Sequence, residues 1–370
     1  MILTGVELVD VRNYAALTFT PPPGLTVLLG DNAQGKSNLL EAIAMLATGK
    51  SFRTTREAEL VRDGCQQATI TGEAHVRAGE VRLSCVISAG SAGARKAYAV
   101  NGERVRYTSF LGRARVVTFT PADLQLVAGP PALRRSLLNA ALAQETPRYY
   151  RLLADYSRTL TQKNAVLRGA VADENALLDT YDERLAELGA PLMLERAQYV
   201  QALAGVAATV AQEWAATGTP REGLEVRYAP NVTIEPGEDE RAIVERLRAA
   251  FAARRPAERA RGQALVGPQR DDLAIRTGGR SLAAYGSQGE QRTAVLALKV
   301  AEYTVMRERV GEAPLLVLDD VLSELDAQRQ RAFLANVSGV EQAFLSSAAA
   351  LPPVPIAATY RVASATLTRL

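Results

Sequence analysis

Residues 26–43 place an apolar strand, Thr26-Val27-Leu28-Leu29, directly before Gly30-Asp31-Asn32-Ala33-Gln34-Gly35-Lys36-Ser37 and then a helix that begins Asn38-Leu39-Leu40-Glu41-Ala42-Ile43. The middle octet fits G-x-x-x-x-G-K-[ST], and strand, loop and helix occur in the order that a phosphate-binding loop requires. Gly30 and Gly35 let the backbone curl so that its N–H groups converge on an anion, and the helix N-terminus adds its dipole. Lys36 is placed to bridge the β- and γ-phosphates of a nucleotide, and Ser37 to ligate Mg²⁺. A loop of this kind follows a parallel strand, so an α/β fold is the expectation.

A second element agrees with the first. Leu315-Leu316-Val317-Leu318 is an apolar run that ends in Asp319-Asp320. Asp319 is the candidate metal-side carboxylate, and Asp320 is placed to orient or deprotonate an attacking water. Scarcity removes the competing chemistries. The single histidine, His75, excludes a multi-histidine metal site, and any triad would have to run through that one ring. Cys65 and Cys85 lack a C-x-x-C spacing, which suits a reducing compartment better than a disulfide framework. No apolar run approaches the roughly 20 residues that cross a bilayer, and the N-terminus has no basic-then-apolar leader. A cytoplasmic protein without membrane contact is expected.

Periodicity divides the 370 residues. Residues 2–120 read mainly as short strands (Val6 to Val11, Leu17 to Phe19, Thr26 to Leu29, Ala68 to His75, Val81 to Ile87, Tyr98 to Val100, Val116 to Phe119), interrupted by a helix from Gly35 to about Ala47. Residues 121–262 turn to helical spacing. Leu152, Tyr156, Leu160 and Leu167 form one stripe, and Leu192, Tyr199, Leu203, Val206, Val210 and Trp214 another, with a turn expected between Gly169 and Asn175. A third helix is expected over Glu238 to Arg254. From residue 263 strands and helices alternate again, with a helix from about Gly289 to Arg309 and strands at Leu315 to Leu318 and Gln342 to Leu345. One ATPase domain is thus expected in two halves, 1–120 and 263–370, split by a helical insertion lobe at 121–262.

Tyr285-Gly286-Ser287-Gln288-Gly289-Glu290-Gln291 contains S-x-G-x-Q before a helix, and Ser323-Glu324-Leu325-Asp326 follows the aspartate pair. With the phosphate loop, this set resembles the ABC-type ATPases. The resemblance implies that Ser287 and Gly289 act in trans on ATP held by a second subunit, and that Ser323 to Asp326, with Asp326 near the nucleotide, lies at the dimer seam. Transporter members place Glu after the strand-end Asp and a histidine after the next strand; here those places hold Asp320 and the His-free stretch Phe344-Leu345-Ser346-Ser347-Ala348. Slow hydrolysis, a switch or clamp, follows as the expectation. The 250 residues between Ser37 and Ser287 exceed a transporter's helical subdomain and match an SMC-type excursion too short for a long coiled coil.

Further segments narrow the resemblance: Val11-Arg12-Asn13-Tyr14, Lys50-Ser51-Phe52-Arg53, Pro121-Ala122-Asp123-Leu124, Gly129-Pro130, Arg134-Arg135, and Gly267-Pro268-Gln269-Arg270-Asp271-Asp272 with Gln where a histidine is usual. Together with the loop they resemble the RecF family, an SMC-like branch of ABC ATPases, from near residue 2 to about residue 348. The fold implied is an ABC-type ATPase head, a P-loop NTPase with an N-terminal antiparallel β region, split by an α-helical lobe. The resemblance implies a weak DNA-stimulated ATPase using ATP and Mg²⁺, an ATP-dependent homodimer on gapped or junction DNA, and cooperation with RecO and RecR to load RecA in recombinational repair and the SOS response. It implies that Arg12, Asn13 and Asn38, with residues 30–37, line the nucleotide, and that Arg53 lies near the phosphates. The rival expectations are a transporter's soluble ATPase and a nucleotide-sensing scaffold that does not hydrolyse.

Only five of the 43 basic residues are lysine, and the net charge is +3, so any DNA-facing surface must be local and arginine-rich. Candidates are Arg53 and Arg56, Arg95 and Lys96, Arg104 and Arg106, Arg113 and Arg115, Arg134 and Arg135, and Arg254, Arg255, Arg259 and Arg261. Aromatics are 5% of residues and no basic-aromatic cluster stands out, so backbone tracking is expected over base stacking.

Overall fold

A computed structural model describes residues 1–90, 93–169, 174–215, 223–235 and 237–370. The chain runs β1 (Ile2–Val11), β2 (Tyr14–Phe19), β3 (Gly24–Leu29), α1 (Lys36–Thr48), β4 (Gln67–Val76), β5 (Gly79–Ser88), β6 (Arg95–Val100), β7 (Glu103–Val105), α2 (Tyr107–Phe110) and β8 (Val116–Phe119). There follow α3 (Pro131–Glu145), α4 (Pro147–Arg168), α5 (Glu174–Ala215), β9 (Leu224–Ala229) and α6 (Glu240–Arg261). The remainder is β10 (Asp272–Thr277), β11 (Arg280–Ser281), α7 (Leu282–Tyr285), α8 (Gln288–Val310), β12 (Leu315–Asp319), α9 (Ala327–Val337), β13 (Gln342–Ser347), β14 (Ala358–Ala363) and β15 (Thr366–Arg369).

The strands form three sheets among the described residues. The first half gives an antiparallel sheet, β2-β1-β4-β5-β6-β7, and the two halves together give a second, β15-β14-β3-β13-β12-β8, parallel except for β15. The helix α1 lies between these sheets, which explains why nearly every residue from Leu39 to Ala47 is buried and apolar. Its approach to β4 is set by Gly72, where a Cβ would stand 2.4 Å from a Leu46 methyl. The helix ends as its sequence requires, with Gly49 in the left-handed region (φ 62°) and its N–H bonded to Met45 O. The other face of the parallel sheet, Leu25, Val27, Phe119 and Leu318, shares one apolar core with α8 and α5, so the lobe packs onto the sheet rather than hanging from it.

The fold class expected from the sequence is the one found. The second helical stripe falls on α5, where Leu192, Tyr199, Leu203, Val210 and Trp214 are buried. The turn expected after Gly169 lies largely outside the described residues. Two differences stand out. Residues 224–229 form a strand in the lobe, paired antiparallel with β10, and the alternation Leu224, Val226, Tyr228 carried that signal. The helix expected to stop at Arg254 continues through Pro256 to Arg261, because the stop is at Gly262, left-handed at φ 62°.

The G-P-Q-R-D-D segment is a structural joint. Arg196 on α5, 2% exposed, donates to Asp271 Oδ2 (2.9 Å), Pro268 O (2.7 Å), Asn139 Oδ1 (2.9 Å) and Tyr149 OH (3.0 Å). Asp271 also accepts from Tyr228 OH and from Asn231 N (2.8 Å). Gln269, in the place of the usual histidine, accepts from Tyr156 OH and donates to Val266 O (2.7 Å), which is a packing role. A buried ion whose partner is removed stays uncompensated, at a cost of about 3–5 kcal/mol. Asp271→Ala is therefore expected to lower the thermal midpoint by several degrees and to open α5 to limited proteolysis. The free thiols give a second check. Burial pushes the Cys85 thiol up to about 12, and Cys65 is raised by its hydrogen bond with Asp10. Iodoacetamide at pH 8 is expected to label Cys65 slowly and Cys85 only in urea, as read by mass spectrometry.

Candidate nucleotide site

The loop joins β3 to α1 at the C-terminal edge of the parallel sheet, the edge at which open α/β sheets bind ligands. Ala33 (φ 64°) and Gly35 (φ 117°) take left-handed backbone, turning successive N–H groups inward. Gly35 cannot carry a side chain for a second reason, since a Cβ would lie 2.9 Å from both Asn13 Nδ2 and Tyr14 OH. Lys36 Nζ donates to Gly30 O (2.5 Å) and Asp31 O (2.7 Å) across the mouth of the loop. Burial lowers its pKa, opposed by Asp320, Asp31 and Asp319, so the ammonium is poorly solvated and available to phosphate oxygens.

The two halves of the chain meet at Asp319. Its Oδ1 accepts from Ser37 Oγ (2.7 Å) and from Ser346 Oγ (2.8 Å). The parallel register sets this, with Asp319 opposite Ser346 and Ser346 opposite Leu28, the residue before the strand's last. Ser346 Oγ in turn accepts from Asp320 N (2.9 Å), and Ser323 Oγ donates to Asp320 O (2.8 Å). Asp320 sits in the left-handed region (φ 51°), a conformation that Asp tolerates, with its main chain held on both sides. Ser346, within β13 and close to its end, is the site residue that sequence reasoning missed; its signal was a hydroxyl near the end of a buried strand.

For a divalent cation, the donor set fits Mg²⁺. Among the described residues there is no cluster of three or more His, Cys, Asp and Glu side chains that would hold a metal alone. One hydroxyl and one carboxylate, Ser37 and Asp319, with a substrate's phosphate oxygens and water, is the way that Mg²⁺ is usually bound.

Arg12 and Asn13 form the two-residue turn between β1 and β2 beside the loop. Asn13 donates to Gln34 O (3.3 Å) and accepts from Asn38 Nδ2 (2.8 Å). Arg12 is bidentate on Glu41 (2.9 and 2.9 Å), a carboxylate 1% exposed that also accepts from Ser51. Arg53 bonds Asn38 Oδ1 (2.6 Å), so the two arginines reach the loop through α1. His75 is on β4, 3.6 Å from Glu80, and has no part here.

Ser287 caps α8 at an exposed edge; its hydroxyl and N–H bond Glu290 and its carbonyl accepts from Gln291 N (3.0 Å), so among the described residues its bonds stay within its own helix cap. Gly289 is packed so that a Cβ would lie 2.9 Å from Arg329 Nη2. Arg329 also bonds Thr293 Oγ1 (3.1 Å) and pairs with Asp326, while Arg292 bonds Glu324 O (2.6 Å). The backbone N–H of Arg329 and its guanidinium hold the Asp326 carboxyl below the usual range. The helix α8 that the S-x-G-x-Q signature opens and residues 323–326 are thus hydrogen-bonded to one another along a solvent-facing edge.

Several arginines expected to face DNA are otherwise engaged. Arg134, 7% exposed, is bidentate on Asp272 and donates to three carbonyls. Arg135 bonds Asp271 O (2.8 Å), Lys96 pairs with Glu57, and Arg115 with Glu312. Arg255 and Arg259 face α5 and its acids Asp179, Asp182 and Glu174. On the opposite face of α6, Arg254 and Arg261 line a groove of about 520 Å³ with Arg246 and Arg270. Arg53, Arg56, Arg95, Arg104, Arg106 and Arg113 are exposed on the head.

The model of the RecF/RecN/SMC N terminal domain matches residues 2–348. The DNA replication and repair protein RecF of Symbiobacterium thermophilum is 42% identical over 94% of this chain and 91% of its own length, and that of Chloroflexus aurantiacus is 41% identical over 92% and 91%. A solved structure of the recombination mediator protein RecF-ATP in the RecFOR pathway superposes with a TM-score of 0.90 at 29% identity, covering 100% of this chain and 97% of that one. An Smc head bound to the C-winged helix domain of ScpA shares the fold alone, with a TM-score of 0.58 at 15% identity. With the loop, the strand-end aspartates and the signature edge in their places, and with relatives this similar along nearly its whole length, the chain belongs to the RecF family of SMC-like ATPases.

Proposed function

We propose that this chain is an ATP-dependent recombinational repair protein with weak ATPase activity, and that its working form is an ATP-closed homodimer bound to gapped or junction DNA. The observation that carries the reading is the union of Ser37 on α1 with Asp319 and Ser346 on strands of the other half of the chain, beside an S-x-G-x-Q edge that faces solvent. Residues 30–38, with Asn13, would cradle the phosphates. Lys36 would exchange its two carbonyl partners for β- and γ-oxygens. Bound Mg²⁺, held by Ser37 and Asp319, would neutralise charge on the phosphates. Asp320 would orient the attacking water; being one methylene shorter than Glu, it does so loosely, which favours slow turnover and a long-lived closed state.

Ser287 and Gly289 have no role toward their own loop, so they supply the trans contact to a nucleotide on a second copy, with Asp326 at the seam. A closed dimer would then present the free arginines of the head and of the α6 groove to a phosphate backbone, with affinity that falls steeply with salt. The relatives' placement in the RecFOR pathway supports RecO and RecR as partners and RecA loading as the output. The rivals, a transporter's ATPase subunit and a non-hydrolysing scaffold, lose to the family relationship and to the retained catalytic set.

Three outcomes are expected. Lys36→Met should cut ATP turnover at least a hundredfold, measured by phosphate release. Ser346→Ala removes one partner from Asp319 and from the Asp320 N–H, and should slow turnover about tenfold, ~1.4 kcal/mol in the barrier, with a small change in thermal midpoint. Ser287→Arg should leave ATP binding by the monomer intact and abolish the ATP-dependent dimer in sedimentation velocity; normal dimerisation would defeat the trans arrangement.

A further inference from the structure

The last strand pair sits against the nucleotide loop. β14 continues the parallel sheet beside β3, from Ala358 opposite Thr26 to Arg361 opposite Leu29. Where β3 gives way to the loop, β14 goes on, and Val362 meets Gly30 backbone to backbone. A Cβ on Gly30 would stand 2.3 Å from Val362 O. Val362 is 1% exposed and the Tyr360 ring packs edge-on against Phe19 at 5.1 Å, so the root of the hairpin is anchored.

Ser364 and Ala365 then form a two-residue turn into β15, both left-handed at φ 47° and 59°. Turns of this type favour Asn-Gly, and two ordinary L residues persist there only where their surroundings hold them. Gln34 is what holds them. Ala365 N donates to Gln34 O (3.0 Å) and Ser364 N to Gln34 Oε1 (2.7 Å). Gln34 O also accepts from Asn13 Nδ2 (3.3 Å), so this peptide is pinned between two hairpin turns that come from opposite ends of the chain. Residues 358–370 lie beyond the 2–348 matched by the family model, so the turn's side of the contact is outside the matched segment.

We infer that the Ser364–Ala365 turn is a positioning element for ATP: by fixing the Gln34 peptide it holds the loop's N–H groups in their convergent arrangement before nucleotide arrives. Pre-ordering a loop raises affinity by removing the cost of ordering it on binding. The inference rests on the nucleotide-binding reading of residues 30–37.

The test is isothermal titration of Mg-ATP into the full chain, with steady-state turnover alongside. Ala365→Pro removes the N–H and cannot adopt φ 59°; it should weaken ATP binding about tenfold and raise KM, leaving kcat at saturating ATP unchanged. Ser364→Gly with Ala365→Gly keeps both N–H groups in a relaxed turn and should bind as the wild type does. If Ala365→Pro does not fold, Ala365→Val strains the same turn while keeping the donor, and should weaken binding in the same sense. Unchanged affinity in a folded Ala365→Pro or Ala365→Val overturns the inference, as does an equal loss in the double-glycine variant. A wild-type chain that does not bind ATP defeats the nucleotide reading itself.

Discussion

The Asp319 carboxylate accepts two hydroxyls at once, Ser37 from the head of α1 and Ser346 from the end of β13, and most of the architecture exists to make those three groups meet. A carboxylate only 7% exposed must be compensated, and hydroxyls compensate it while leaving coordination sites that a cation and phosphates can use. The meeting depends on the register of β3, β13 and β12. A slip of one residue in β13 would turn Ser346 to the opposite face of the sheet and leave Asp319 with a single partner. The register is kept by the two apolar layers that press on the sheet, α1 on one side and α8 with α5 on the other.

The lobe that separates the two halves in sequence is secured by a second set of buried charges. Arg196 with Asp271 and Arg134 with Asp272 tie α5 and α3 to the segment where the chain re-enters the head. Once both aspartates are committed to holding the lobe, the arginines that neutralise them are lost to any outside partner. The same division runs along α6, whose Arg255 and Arg259 serve α5 while Arg254 and Arg261 face a groove. A near-neutral net charge thus conceals two populations of arginine, one internal and structural, the other exposed.

The phosphate loop, α1 and the strand ending in Asp319-Asp320 were legible because each is a local pattern: a backbone that only glycine permits, an apolar run of the right length, an acid at a strand end. The lobe's long helices were legible for the same reason, through repeats of three and four. The strand at 224–229 was hidden by its helical neighbours, and the hairpin at 358–369 carries no motif. The role of Ser346 was not legible, since a serine after a buried strand is ordinary until its register partner is known.

Sequence alone determined the local chemistry: which residues can bend around a phosphate, which cationic group can reach it, which acid can face a metal, and, with one histidine, that a multi-histidine metal site is excluded. Tertiary structure decided which charges are spent internally, which hydroxyls meet the Asp319 carboxylate, and what braces the loop from behind. The physical reason is range. Backbone torsion and side-chain type act over a few residues and are written in order along the chain. Ser346 reaches Asp319 from 27 residues away and Ser364 reaches Gln34 from 330, and only packing brings them within 3 Å.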